Sequence, residues 1–328
     1  MVTSHLRQAP IAALAFIAGL AVLCASASAR TKPVDLRVLN TAGRTLAEQR
    51  QYTGTVRIKT DRHATCFGKD TGGSGKRVKV SGATALGAVR DALRWQHALR
   101  PLSTTDAFAD QGFGLGVCGI GGYRAQGSSF WYLKGAHAGS QVSGSELAVH
   151  SGEDVLWYLT PSFPPAAELE LAAPARARPG VPFTVTVLSD ADDGTRSPAQ
   201  GVSVTGAAAP TDADGHATVT LTRAGTNTLR ATHSPDIPSN RVAVCVNTDL
   251  SKCPNAHGKL IFGSRARDVI RDTQGWDRIK AGGGRDVVDL RRGGRDRVNC
   301  GGGRDRVVEN RSDHDNRIAS NCERVVRR

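Results

Sequence analysis

Apolar and polar residues alternate along much of the chain, a pattern typical of short, half-buried strands. In the N-terminal part the alternation covers residues 34–39 and 55–58, and strand-like runs follow at residues 130–135 and 147–158. The sequence therefore predicts several strands in the first half of the chain.

One helix is expected among these strands. Leu86 and Val89 lie at helical spacing, and Thr84 before them is a residue type favoured at the N-cap. This pattern predicts a helix over residues 84–98. Together with the strands, it predicts a compact α+β unit over residues 30–165.

The middle of the chain, residues 166–250, is strand-like throughout. A Pro-rich linker at residues 161–165 precedes it, and turn residues such as those at 212–215 separate six short apolar–polar segments. Short strands at regular spacing with turn signals between them predict a β-sandwich.

The last block, residues 251–328, contains an internal repeat of glycine-rich segments. The repeats carry aspartates spaced by 9, 9, 10 and 9 positions: Asp268, Asp277, Asp286, Asp296 and Asp305. Two places after each aspartate stands an apolar residue: Ile270, Ile279, Val288, Val298 and Val307. Each repeat therefore predicts a glycine turn and a short strand, with the apolar residues stacked in a shared interior.

The N-terminus has the composition of a secretory signal peptide. Residues 11–24 are apolar, and the small residues Ala27-Ser28-Ala29 form a cleavage motif, so we expect residues 1–29 to be removed. A membrane anchor is the alternative, but the run is short against the ~20 residues that a span needs. No later segment is long and apolar enough to be a transmembrane segment. We expect a secreted, extracellular protein that could stay at the cell surface.

Cleavage would leave six cysteines, an even number that favours disulfides outside the cell. Two lie in the first block, two at the second junction and two in the last block. This distribution favours the pairs Cys66–Cys118, Cys245–Cys253 and Cys300–Cys322. There is no C-x-x-C pair and no histidine at zinc-finger spacing, which argues against zinc.

Charge is spread unevenly along the chain, whose formal net charge is +13. Residues 30–165 hold 17 Lys and Arg against 10 Asp and Glu, and residues 251–328 hold 19 against 11, whereas the middle block is mildly acidic. Such basic blocks favour an anionic cell-wall polymer, a lipid surface or another surface ligand as partner. Nucleic acid is not expected, because few aromatic residues accompany the arginines and the protein is expected outside the cell.

Residues 84–160 resemble a known family. The helix, the G-V-C-G-I-G-G turn, the F-W-Y-L-K-G strand and the S-G-E-D-V-L-W-Y strand are similar to a secreted bacterial family of unknown function. That family is related to the C-terminal domain of transcobalamin and intrinsic factor. The resemblance implies a β-grasp-like fold. The helical partner domain of the vitamin carriers has no counterpart here, so no cofactor is expected from this resemblance.

Two further resemblances concern the other blocks. The T-D-A-D-G turn before a T-V-T-L strand resembles bacterial immunoglobulin-like domains. The C-terminal repeats resemble the hemolysin-type (RTX) repeat, which implies a parallel β-roll that binds calcium in its turns. The resemblance implies calcium ligands at Asp277, Asp286, Asp296 and Asp305. The fold class expected for the whole chain is therefore mainly β.

The repeats differ from that family in their arginines. Arginine precedes the aspartate in four of the five repeats: Arg267, Arg285, Arg295 and Arg304. Two alternatives follow. Arginine and aspartate could pair between neighbouring turns in a metal-free roll fastened by the Cys300–Cys322 disulfide, or calcium could bind in one or two turns.

Aromatic residues supply one further candidate surface. Trp131 and Trp157 are expected in the core, and Tyr132 and Tyr158 on the opposite strand face, where an exposed pair would form a ligand surface. We find no G-x-S-x-G or H-E-x-x-H motif, so the protein is not expected to be an enzyme. The predicted function is non-catalytic binding or adhesion. The alternatives are a calcium-stabilised extracellular protein and a secreted enzyme with an unrecognised site.

Overall fold

The computed structural model describes residues 31–163, 165–313 and 315–328. The predicted signal peptide, residues 1–29, lies outside this range. Among the described residues the protein is mainly β, with one α-helix. The predicted fold class is therefore confirmed at this level.

The first group of elements comprises five strands of a large sheet, two small separate sheets and one helix packed on them. Its strands are β1 Lys32–Leu39, β2 Thr45–Thr53, β3 Val56–Lys59, β4 Arg77–Val80, β5 Leu102–Thr105, β6 Gly116–Ile120, β7 Tyr123–Arg124, β8 Phe130–Gly135, β9 Ala138–Gly139 and β10 Asp154–Thr160, and the helix is α1 Ala85–Ala92. β1 lies in the middle, antiparallel to β2 and parallel to β10. Apolar residues of the helix and sheet form one core, which includes Trp131 and Trp157.

The helix begins as predicted but ends earlier. The Thr84 hydroxyl accepts a hydrogen bond from the Gly87 N–H, a typical N-cap. α1 stops at Ala92 rather than at residue 98. Beyond it the Trp95 ring stacks on Phe262, with centroids 5.4 Å apart, and its indole N–H donates to a backbone carbonyl. A contact with a distant strand therefore takes the place of the last helical turn.

The second group consists of short strands only. They are β11 Glu168–Ala172, β12 Arg176–Ala177, β13 Phe183–Asp190, β14 Arg196–Pro198, β15 Ser203–Val204, β16 His216–Val219, β17 Gly225–Leu229, β18 Ala231–Thr232 and β19 Val242–Val246. β13 pairs with β11, β14 and β16, and β19 pairs with β12 and β17. Apolar side chains from both sheets share one core.

The third group, here called the rung region, comprises β20 to β29. Its strands are β20 Leu260–Phe262, β21 Val269–Arg271, β22 Arg278–Lys280, β23 Gly283–Gly284, β24 Val287–Asp289, β25 Arg297–Asn299, β26 Gly302–Gly303, β27 Arg306–Glu309, β28 Arg317–Ile318 and β29 Arg324–Arg327. They form two main parallel ladders, β20-β22-β25-β28 and β21-β24-β27-β29. The five apolar repeat residues are at most 3% exposed and face one interior, between the two ladders.

The rung region continues the sheet of the first group. β20 pairs in parallel with β2, with Arg50 opposite Ile261 and Gln51 opposite Phe262, so one nine-stranded sheet runs through both. The buried Gln51 amide donates to the carbonyl of Phe262 at 3.3 Å, and Tyr52 enters the interior of the rungs. The first rung therefore has a covered edge rather than an open one.

Three disulfides fasten the chain: Cys66–Cys118, Cys245–Cys253 and Cys300–Cys322. These are the three pairs that the distribution of cysteines along the sequence predicts. The third lies within the rung region, where Cys300 is fully buried.

Candidate ligand-binding and ion sites

The repeat aspartates form two hydrogen-bonded columns, here called the aspartate ladders. On one edge of the rung region the backbone N–H of Asp277 donates to Asp296 Oδ1 at 2.8 Å. On the other edge the N–H of Asp286 donates to Asp305 Oδ1, also at 2.8 Å. These four aspartates, predicted as calcium ligands, are 0–2% exposed. Each of the four carboxylates therefore lies inside a turn and accepts a hydrogen bond from a backbone N–H of the preceding rung.

The second carboxylate oxygen of three ladder aspartates has no hydrogen-bond partner. These atoms are Oδ2 of Asp286, Asp296 and Asp305, and all are buried. Burial and neighbouring carboxylates raise the pKa of Asp286 and of Asp296 to about 7. Orphaned carboxylate oxygens in glycine turns fit calcium, which takes oxygen ligands. Asp286 and Asp305 would hold an ion on one edge of the region, and Asp296 on the other. Asp277, also predicted as a ligand, differs from them, because both of its carboxylate oxygens accept hydrogen bonds from Lys259 and Thr273.

The repeat arginines do not pair with the repeat aspartates. The described ion pairs of the region join other partners: Arg291 with Asp289, Arg295 with Asp315 and Arg327 with Glu309. Arg295 and Asp315 do pair between neighbouring turns, as expected, but no described ion pair joins an arginine to a repeat aspartate. The physical reason is the alternation of side chains along a strand: the aspartate points into the turn, whereas the arginines before it, such as Arg285, and after it, such as Arg297, are exposed.

These outward side chains stack into what we call the arginine column, Arg278, Arg297 and Arg317. In the parallel ladder Arg278 is opposite Arg297, and Arg297 is opposite Arg317. All three are exposed, and none forms an ion pair within the described ranges. Neighbouring strands are ~4.8 Å apart, so three unneutralised cations follow one another at strand spacing.

Tyr132 and Tyr158 do not form an open ligand surface. Both are buried between the first and second groups of strands. The Tyr132 hydroxyl donates to a carboxylate oxygen of Asp192, and Tyr158 packs with Leu39 and Ile237. Burial raises the pKa of Tyr132, and the carboxylate beside it acts in the same direction. The second group covers the strand face that the sequence predicts to be free.

The same junction holds a charged cluster that the sequence pattern does not predict. Glu168, 2% exposed, pairs with Arg37 and lies 3.7 Å from the Lys134 ammonium. Burial would raise the pKa of Glu168, but the charges of Arg37, His137 and Lys134 lower it to about 2. His137 Nδ1 lies 3.5 Å from Asp190 and 3.7 Å from Glu168. The sequence feature that could have indicated this cluster is Lys134, a charged residue within the otherwise apolar strand β8.

This cluster lies beside a cleft of about 530 Å³ between the three groups. His137, Glu168 and Asp190 are close enough to share a metal ion. However, Arg37 and Lys134 already neutralise the buried carboxylates, and a further cation would be repelled. Contacts with Asp154 and Glu168 raise the pKa of His137 to about 10, so the histidine acts as one more cation here. The cluster is best described as a charged latch between the first and second groups.

No family model matches the chain, and no curated protein matches it. A search of the described residues for a helix long and apolar enough to cross a membrane also finds none.

Proposed function

We propose that this protein is a secreted or cell-surface, non-catalytic binding protein whose arginine column contacts an anionic polymer. The observation that carries the proposal is the register of Arg278, Arg297 and Arg317, three exposed cations on neighbouring strands that have no carboxylate partner among the residues the structure describes. Like charges in register repel one another, and an anion laid along the column would relieve this repulsion.

The scaffold beneath the column supports such a role. Isoleucine and valine side chains fill the interior of the rungs, and the Cys300–Cys322 disulfide ties the last turns together. The ladder fixes the spacing of the three arginine backbones, so binding of a repeating polyanion costs only side-chain freedom, which favours affinity. The three disulfides are typical of an oxidising, extracellular environment.

The test is binding to a defined anionic polymer. Immobilised poly(glycerol phosphate) should retain the protein at low salt, and the triple variant R278Q/R297Q/R317Q should elute at clearly lower salt. A matched control, R44Q/R178Q/R223Q, removes the same charge from scattered exposed positions. Equal loss in both variants, or retention that salt does not weaken, would refute the proposal.

Calcium-dependent stabilisation of the rung region is the second candidate function. The orphaned carboxylate oxygens of Asp286, Asp296 and Asp305 favour it. Calcium should then raise the unfolding midpoint above that measured with a chelator, by mass action on the folded state. An unchanged midpoint at millimolar calcium excludes it.

A further inference from the structure

A second cationic surface lies away from the arginine column, on the β3–β4 hairpin. Along these strands the apolar side chains face the core, and the basic side chains alternate with them toward solvent. Arg57 stands directly opposite Lys79, and Lys59 directly opposite Arg77. Like charges directly opposite each other destabilise a strand pair. The hairpin therefore carries two unfavourable cross-strand pairs on one face.

This face forms one wall of a groove of about 620 Å³. Helix α1 contributes Arg90, whose guanidinium donates to the backbone carbonyl of Arg57 at 3.2 Å. The rung region contributes Arg265 from the opposite side. The groove is thus lined by five basic side chains from three separate parts of the fold: Arg57, Lys59, Arg77, Arg90 and Arg265.

The positive charge of the groove exceeds the negative charge that the protein places beside it. In the part of the chain that the structure describes, none of the five basic side chains forms an ion pair. Asp91 is the single acidic residue of the lining. Its Oδ2 is buried without a hydrogen-bond partner, and its charge offsets those of Arg90 and Arg265 without a described ion pair, which leaves an excess of cations. Burial and repulsion from Arg265 and Arg77 lower the pKa of Arg90, as expected where cations crowd.

We propose that this groove, between the β3–β4 hairpin, α1 and the first turn of the rung region, binds a phosphate-bearing ligand with several negative charges. Four of the five cations are guanidinium groups, which bind phosphate oxygens through two parallel N–H donors. A single small anion would contact one or two of them, whereas a chain of linked phosphates could contact cations on both walls. The ligand is a free oligophosphate or the phosphodiester backbone of a polymer, since both present the same oxygens.

The proposal is independent of the arginine column, which has its own residues on β22, β25 and β28. The probe is inorganic tripolyphosphate, and binding is measured by titration calorimetry. The test variant K59Q/R77Q removes one exposed cross-strand pair and relieves repulsion in the hairpin, so it should fold. The control R178Q/R223Q removes the same charge from exposed positions outside both the groove and the arginine column.

The wild-type protein should bind tripolyphosphate, and K59Q/R77Q should lose about tenfold or more in affinity. The control should stay within about twofold of wild type. A second variant, R265Q, removes a cation from the opposite wall and should also weaken tripolyphosphate binding. Because Arg265 lies outside the hairpin, a loss in this variant cannot result from a local folding defect of β3 and β4. No binding by the wild type, unchanged affinity in both groove variants, or an equal loss in the control would overturn the proposal.

Competition identifies the source of the phosphate. If short poly(glycerol phosphate) displaces tripolyphosphate from the wild-type groove, the ligand is a polymer backbone. If it does not, the ligand is a free oligophosphate. On immobilised poly(glycerol phosphate), R278Q/R297Q/R317Q should elute at lower salt than the wild type while its groove still binds tripolyphosphate, so failure of either proposal can be recognised separately.

Discussion

The backbone N–H of Asp277 donates to Oδ1 of Asp296 on the neighbouring rung, at 2.8 Å, and the N–H of Asp296 donates in turn to Oδ1 of Asn316 at 3.0 Å. Each turn of this ladder thus depends on an acceptor from the turn that follows it. The last acceptor is an amide, which shows that the ladder needs an oxygen at this position and no negative charge.

Replacement of Asp296 tests this reading of the ladder. Asp296→Ala leaves the buried N–H of Asp277 without its acceptor and should lower the free energy of unfolding by about 1–3 kcal/mol. Asp296→Asn keeps the acceptor oxygen, so it should lower the free energy of unfolding clearly less than Asp296→Ala does. Urea unfolding of the two variants side by side measures the difference. Equal losses would mean that the charge, not the hydrogen bond, matters.

The stability of the metal-free protein should depend on pH through the ladders. The pKa of Asp286 and of Asp296 is raised to about 7 in the folded state, above the ordinary value of 3.8. The folded protein therefore binds these protons more tightly than the unfolded chain. The stabilisation is complete below pH 3.8 and is lost as the pH rises through about 7.

Unfolding midpoints measured in chelator should accordingly fall between pH 5 and pH 8. The double variant D286N/D296N should show a smaller fall, because its side chains do not titrate. A midpoint that rises over this interval in the wild type, or an equal fall in the variant, would contradict the assignment of the effect to these two residues.

The charged latch should respond strongly to removal of Glu168. Glu168→Gln leaves Arg37 and Lys134 buried without their counter-charge and should lower the free energy of unfolding by about 3–5 kcal/mol. The control is Glu170→Gln. The Glu170 carboxylate pairs with Arg196 at an exposed position, so this variant should lower the free energy of unfolding by only ~0–1 kcal/mol. Chemical denaturation checks both. Similar losses in the two variants would rule out a special role of the latch.

Removal of the third disulfide should loosen the end of the rung region. The free energy of unfolding of the C300A/C322A variant should be lower by ~3 kcal/mol, because the crosslink closes a loop with a sequence separation of 22 residues. Hydrogen exchange should speed up first in β28 and β29 and leave β1 and β10 protected. Uniform acceleration over the whole chain would show that the disulfide stabilises more than the last rungs.

Local periodicity predicted much of the C-terminal part. The spacing of Ile270, Ile279 and Val288 identified the buried face of the rungs, because each repeat places its apolar residue in the same position. Grouping of the cysteines along the chain was enough to pair them, since near neighbours in sequence were also near in space. These features depend on contacts between adjacent segments.

Contacts between distant segments were not predictable in this way. Alternation placed Tyr132 and Tyr158 on one face but carried no information about the strands that cover it. The pairing of Arg37 with Glu168 and the groove shared by Lys59 and Arg265 join residues more than a hundred positions apart. Neither has a local pattern, because the partners meet only after the groups of strands have packed.

The parallel pairing of β2 with β20 also sets an order of assembly. A stack of short rungs gains stability from each neighbour, and the first rung is the costly one to form. Here a strand made more than two hundred residues earlier supplies that neighbour, since Gln51 lies opposite Phe262. We infer that the N-terminal sheet acts as a template for the rungs, because the β2 edge favours growth outward from β20 once that sheet exists.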